Sequence, residues 1–114
     1  ADGTITADKM AENTGGFLDW QAVVTGNTTM VAGRGYFVNT SGGAITMTLP
    51  ASATRGDTIA IIDYGATADT NNITVGRNSH NIQGSGANLT VSTERAAFEL
   101  IYVDSTQGWL LNQK

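Results

Sequence analysis

The 114-residue chain contains no cysteine, so disulfides, thiolate zinc sites and cysteine nucleophiles are excluded and its stability has to come from packing or assembly. Charge is also scarce: Asp, Glu, Lys and Arg make up 14% of the residues, where about 25% is usual in soluble proteins. The surface must therefore be built mostly from neutral polar side chains. Ten acidic residues against six basic ones leave a net charge of -4. No Lys/Arg cluster could neutralise a run of phosphates, so nucleic acid is not an expected partner. No apolar run approaches the roughly 18 residues of a membrane span, and membrane insertion is not expected. The opening ADGTITADKM has neither the basic nor the apolar region of a secretory signal, and the missing initiator Met suggests a fragment or a processed chain. Proline occurs once, at Pro50, and histidine once, at His80.

Glycine, threonine and asparagine stand in for what is missing, a composition typical of extracellular β-proteins and unlike a helical cytosolic enzyme. The length fits one domain with a modest core. Residues 1–16 read as a linker or short helical segment, in which Thr6 can cap, Ala7 to Glu12 tolerate helix and Gly15-Gly16 ends it. Residues 17–114 read as a β-structured domain. Strands are expected over Trp20 to Thr25, Thr28 to Ala32, Gly35 to Asn39, Ala44 to Leu49, Thr58 to Tyr64, Asn72 to Val75, Leu89 to Ser92, Ala96 to Val103 and Gly108 to Asn112, separated by Gly, Asn, Ser or Asp. The expected fold class is all-β, with short antiparallel strands in a sandwich, a prism or a small solenoid.

Two kinds of strand pattern are present. In AITMTLP, Ile45, Met47 and Leu49 alternate with Thr46 and Thr48, so one face is core and the other solvent. In TIAIIDYG and AAFELIYVD apolar residues occupy both parities, as in strands covered on both faces. In so small a chain the second cover can come from a neighbouring copy, and a homotrimer is expected. Between residues 71 and 91, Ile73 and Val75, then Ile82, then Leu89 and Val91 recur about every eight residues, like rungs of a small solenoid or meander, with Asn, Gly and Ser making the turns.

Catalytic chemistry finds little support. One histidine per chain cannot form a His-His ligand set, although three copies on a threefold axis could bring three together. Asp57, Asp63 and Asp69 fall at strand ends or turns, where turn and surface duty explains them. Glu99 lies inside an apolar strand and suggests either an exposed edge position or a structural ion pair with Arg95 or Arg55. The GxG pieces VAGRGYF and NIQGSGANL precede no helix and so offer no phosphate cradle. Trp20 and Trp109 read as core or interface residues. Tyr64, at the mouth of a Gly/Asn loop, is the aromatic most readily exposed for stacking on a sugar. The candidate ligand-binding residues are Tyr64, Asp69, Arg77, Asn78 and His80. No cofactor, metal or enzymatic activity is expected.

The stretch NITVGRNSHNIQGSGANLTVSTERAAFELIYVDSTQGWLLNQ resembles a recurrent segment of bacteriophage virion proteins, particularly tail-fibre and other structural proteins of marine phages. In those, I-x-V-x-x-N-x-x-x-I-x-G is followed by an aromatic strand and a terminal GW strand. The opening GTITADKMA is similar to their linkers of the type G-x-I-T-x-x-K-L/M-A. Together the two cover most of residues 3 to 112. The resemblance implies a trimeric fibre or appendage domain of the virion, in contact with other virion proteins and available to touch a host-surface glycan. The resemblance transfers no binding residue, because it lies in strand and turn positions. The alternative is a stand-alone carbohydrate-binding or adhesin-like β-sandwich.

Overall fold

The computed structural model describes residues 18–113, so the linker or helical segment expected over 1–16 lies outside the described residues. Nine short strands carry the described chain: β1 (Asp19–Trp20), β2 (Thr28–Thr29), β3 (Arg34–Val38), β4 (Ile45–Thr48), β5 (Thr58–Asp63), β6 (Ile73–Gly76), β7 (Leu89–Val91), β8 (Ala97–Asp104) and β9 (Gly108–Gln113). Each strand expected from the sequence has a counterpart, and no helix occurs among the described residues. The all-β class is therefore as expected.

The pairing is not. β1, β3 and β5 lie side by side and parallel in one sheet, and β2, β4 and β6 do the same in a second. Consecutive strands thus alternate between the sheets, and the chain winds as a coil in which every turn gives one strand to each. β7 then folds back antiparallel on β6, β8 on β5, and β9 on β8. The result is a five-stranded sheet, ordered β9-β8-β5-β3-β1, and a four-stranded sheet, ordered β2-β4-β6-β7. The expectation of antiparallel strands is corrected to two mixed sheets. Alternation along a strand says which face is buried but not which strand lies beside it. Here the crossover that a parallel pair needs is supplied by a strand of the opposite sheet.

The expected eight-residue rungs over 71–91 are also corrected. Neighbouring turns of the coil set Asp19 beside Arg34, Gly35 beside Ala60 and Ile45 beside Ile73, a far longer repeat. Within 73–91, β6 and β7 form one antiparallel pair, and Ile82 sits buried in the loop between them, bridged to Trp109.

One core joins the sheets. Tyr36, Val38, Ile59, Ile61, Phe98, Leu100 and Trp109 enter it from the five-stranded sheet, and Ile45, Met47, Ile73, Val75 and Val91 from the four-stranded one. Met30, Leu49, Ala68 and Ile82 seal it from the loops. The Tyr36 hydroxyl, carried into this core, accepts the Val31 backbone N–H at 2.8 Å. Gly108, at φ 72°, marks the bulge that starts β9, and a Cβ there would overlap the Asn81 backbone.

Candidate functional site

Strand β6 has a loop at each end, and the five candidate residues divide between them. Tyr64 and Asp69 belong to the loop that enters β6, and Arg77, Asn78 and His80 to the loop that leaves it. A strand's length separates the two groups.

The entering loop is organised by Asp63 at the end of β5. The side chain is fully buried, and its carboxylate accepts three backbone N–H groups: Thr67 at 3.3 Å, Ala68 at 3.1 Å and Arg95 at 2.9 Å. Asp63 keeps the expected turn duty, but its expected surface position is corrected, because an acid can be buried when it satisfies several orphan donors at once. Arg95 completes the clamp by donating from its guanidinium to the Tyr64 carbonyl at 2.7 Å. Two connections, 64–68 and 92–96, are thereby tied together. The Tyr64 side chain stays out of the clamp and is 50% exposed, and Asp69 is exposed in the Thr67–Asn71 turn.

The leaving loop is braced against the end of β4. Asn78 and Ser79 adopt left-handed backbone at φ 49° and 71°, which explains small polar residues in GRNSHN. The Asn78 amide donates to the Leu49 carbonyl at 2.9 Å, and His80 Nε2 donates to the Pro50 carbonyl at 2.9 Å. Arg77 donates to the His80 carbonyl at 3.2 Å, while its backbone N–H is taken by Asn88 Oδ1 at 3.0 Å. The His80 ring meets Tyr102 and Trp109 edge-on, with centroids 5.7 and 6.5 Å away. Trp109 is fully buried, and its indole N–H has no hydrogen-bond partner among the described residues. Asn78 and His80 thus hold the loop to the end of β4 by two contacts with carbonyl oxygens, and Arg77 closes the loop on itself by a third.

A groove of about 350 Å3 opens elsewhere, between β7 and the β8–β9 hairpin. Leu89, Val91, Phe98 and Leu111 line it, with Thr90, Thr93 and Arg95 among its polar residues, and none of the five candidates reaches it. Glu99 is corrected as well: its recorded partner is the neutral Asn112 amide at 3.3 Å rather than Arg95 or Arg55. Arg55 donates instead to the Val103 carbonyl at 3.4 Å.

The feature least visible in the sequence is the contrast between the outward faces of the two sheets. On the four-stranded sheet, Thr46, Thr74 and Thr90 stand in one row across β4, β6 and β7, with Thr29 and Thr48 in the next. On the five-stranded sheet the outward positions of β3, β5, β8 and β9 include Phe37, Ile62, Ile101, Val103 and Leu110, all half-buried. Trp20, 43% exposed, stacks on Phe37 at 4.9 Å and lies over Gly35. The mixed-parity patterns of β5 and β8 signalled this face, but its extent across neighbouring strands needed the pairing. The described residues thus form an all-β unit of two mixed sheets, in which polar side chains fix the backbone of the loops at both ends of β6. Compared with known proteins, the chain matches no family model and no curated protein.

Proposed function

We propose that the chain is a non-enzymatic structural domain of a bacteriophage virion, part of a tail fibre or similar appendage, assembled as a homotrimer alongside other virion proteins. The observation that carries this reading is the use made of the acidic side chains. Asp57 accepts the Thr54 N–H at 2.9 Å, Asp63 accepts three N–H groups, and Asp104 accepts those of Thr106 and Gln107 at 3.0 and 2.8 Å. Asp57 and Asp104 hold their own turns and Asp63 ties two connections together, so these three carboxylates have structural work that explains their positions. Among the described residues no group of three or more His, Asp or Glu side chains could hold a metal ion. A low-charge surface and a repeat-like coil suit a segment of an extended appendage. Tyr64 and Asp69, both exposed in the loop that enters β6, and the loop of Arg77, Asn78 and His80 are the parts offered to a host-surface glycan.

Light scattering at micromolar and sub-micromolar protein tests the assembly. A mass near three times 11.9 kDa at both concentrations is expected. The second reading, a monomeric carbohydrate-binding module, is favoured by the half-exposed Tyr64 ring. A monomer at both concentrations, with glycan-array binding lost on Tyr64→Ala, would replace the appendage reading by that one.

A further inference from the structure

We infer that copies of this chain meet through the outward face of the five-stranded sheet, an inference that rests on the homotrimer proposed above and names its contact surface. The face is made by side chains that point away from the core. Phe37 stands beside Ile62 across β3 and β5, and Ile101 beside Leu110 across β8 and β9. Between these two ridges runs a row of small residues, Gly35 and Ala60, with Glu99 next in line. A sheet that turns one face to water alternates apolar-in and polar-out. The four-stranded sheet of this same molecule obeys that rule with its threonines, so the composition was free to supply a polar face. The five-stranded sheet breaks the rule across four adjacent strands, and among the described residues only the Trp20 ring, stacked on Phe37 and over Gly35, lies on this face.

The occupant is another copy of the same chain on grounds of charge. Glu99 is an acid on this face and Arg55 a base at its rim, beside Val103. Each is met within its own chain by a neutral group: the Asn112 amide for the acid, the Val103 carbonyl for the base. Among the described residues neither has a partner of opposite charge, and a surface that carries such an acid and such a base is complementary to itself, since two copies can pair them across the contact. Five strands about 4.8 Å apart and three rows of side chains about 6.8 Å apart make a patch of about 300–400 Å2. On a monomer a patch of that size is often an interaction site. Three such faces turned towards a common axis would enclose one shared apolar core while each copy uses a single patch.

The test compares three proteins by light scattering and sedimentation over a range of concentrations. They are the wild type, the variant I62T/I101T/L110T, and the control T46V/T74V on the opposite sheet. Threonine fits a strand as well as isoleucine does, so the triple variant should keep its circular dichroism while its face becomes a copy of the threonine one. The wild type and the control are expected to keep the mass of three chains. The triple variant is expected to dissociate, with a dissociation constant raised by at least about 100-fold from the apolar area lost. If the wild type associates and the folded triple variant associates equally well, the face inference is overturned while the homotrimer stands. If the wild type itself is monomeric throughout, the homotrimer fails and the contact surface falls with it. Should the triple variant lose its fold, E99R and R55E take its place. Each alone should weaken association, and E99R/R55E together should restore it; failure of the double variant to do so overturns the pairing.

Discussion

The two sheets enclose one core, yet they treat their outward faces in opposite ways. β4, β6 and β7 put Thr46, Thr74 and Thr90 in a row towards water, whereas β3, β5, β8 and β9 put Phe37, Ile62, Ile101 and Leu110 there. Strand propensity cannot be the cause, because threonine and isoleucine are both good strand formers. What differs is the environment each face prepares for. A hydroxyl exposed on a strand keeps its bonds to water at no cost, while a row of branched aliphatic side chains gains only when something excludes water from it. That difference between the two outward faces is the ground on which the contact surface proposed above rests.

The comparison can be broken or sharpened by substitution. The largest effect is expected where both sheets depend on the same residue. Met47 is fully buried between them, and Met47→Ala should cost about 2–5 kcal/mol by leaving a cavity, read from urea unfolding. An effect near zero would mean that the sheets are not joined through this core. Asp63, at the end of β5, ties two connections that pass between the sheets. Asp63→Ala would strand three N–H groups and should cost about 2–3 kcal/mol, with faster amide exchange confined to 64–68 and 92–96. Uniform acceleration over β2, β4 and β6 would contradict that local role.

Smaller changes separate the two outer faces directly. A Cβ on Gly35 would overlap the Trp20 ring, so Gly35→Ala should push the indole off the sheet at a cost of about 1–2 kcal/mol. A red shift in tryptophan emission reports it, since Trp109 remains buried and constant. An unshifted spectrum would show that Trp20 does not rest on Gly35 in solution. The smallest effect belongs to the threonine face, where Thr74→Val should change stability by no more than about 0.5 kcal/mol and leave the solution mass unaltered. A change in mass there would mean that the wrong face has been assigned to assembly.

All nine strands of the described chain were legible in the alternation of apolar residues and in the Gly, Asn and Ser turns, to within a few residues. So was the exposure of Tyr64. The burial of Asp63 was less open to reading, since its partners Thr67, Ala68 and Arg95 come from two connections that only the folded chain brings together. A carboxylate that closes an apolar strand before GATA was the available signal, and it reads equally well as a surface turn. The five binding candidates fall in two loops, Tyr64 and Asp69 before β6 and Arg77, Asn78 and His80 after it, and only the folded chain shows what braces each loop.

By itself the sequence determined the chemistry on offer: no thiols, one imidazole, few charges, and strands whose two parities show how many faces are apolar. These follow from local composition and from the two-residue period of a strand. The tertiary structure decided the partners. Parallel stacking of β1, β3 and β5 against β2, β4 and β6, the carboxylate clamp, and the gathering of separate aliphatic residues into one face all depend on contacts distant in sequence. Side-chain period fixes which way a residue points, whereas pairing fixes which residue it points beside.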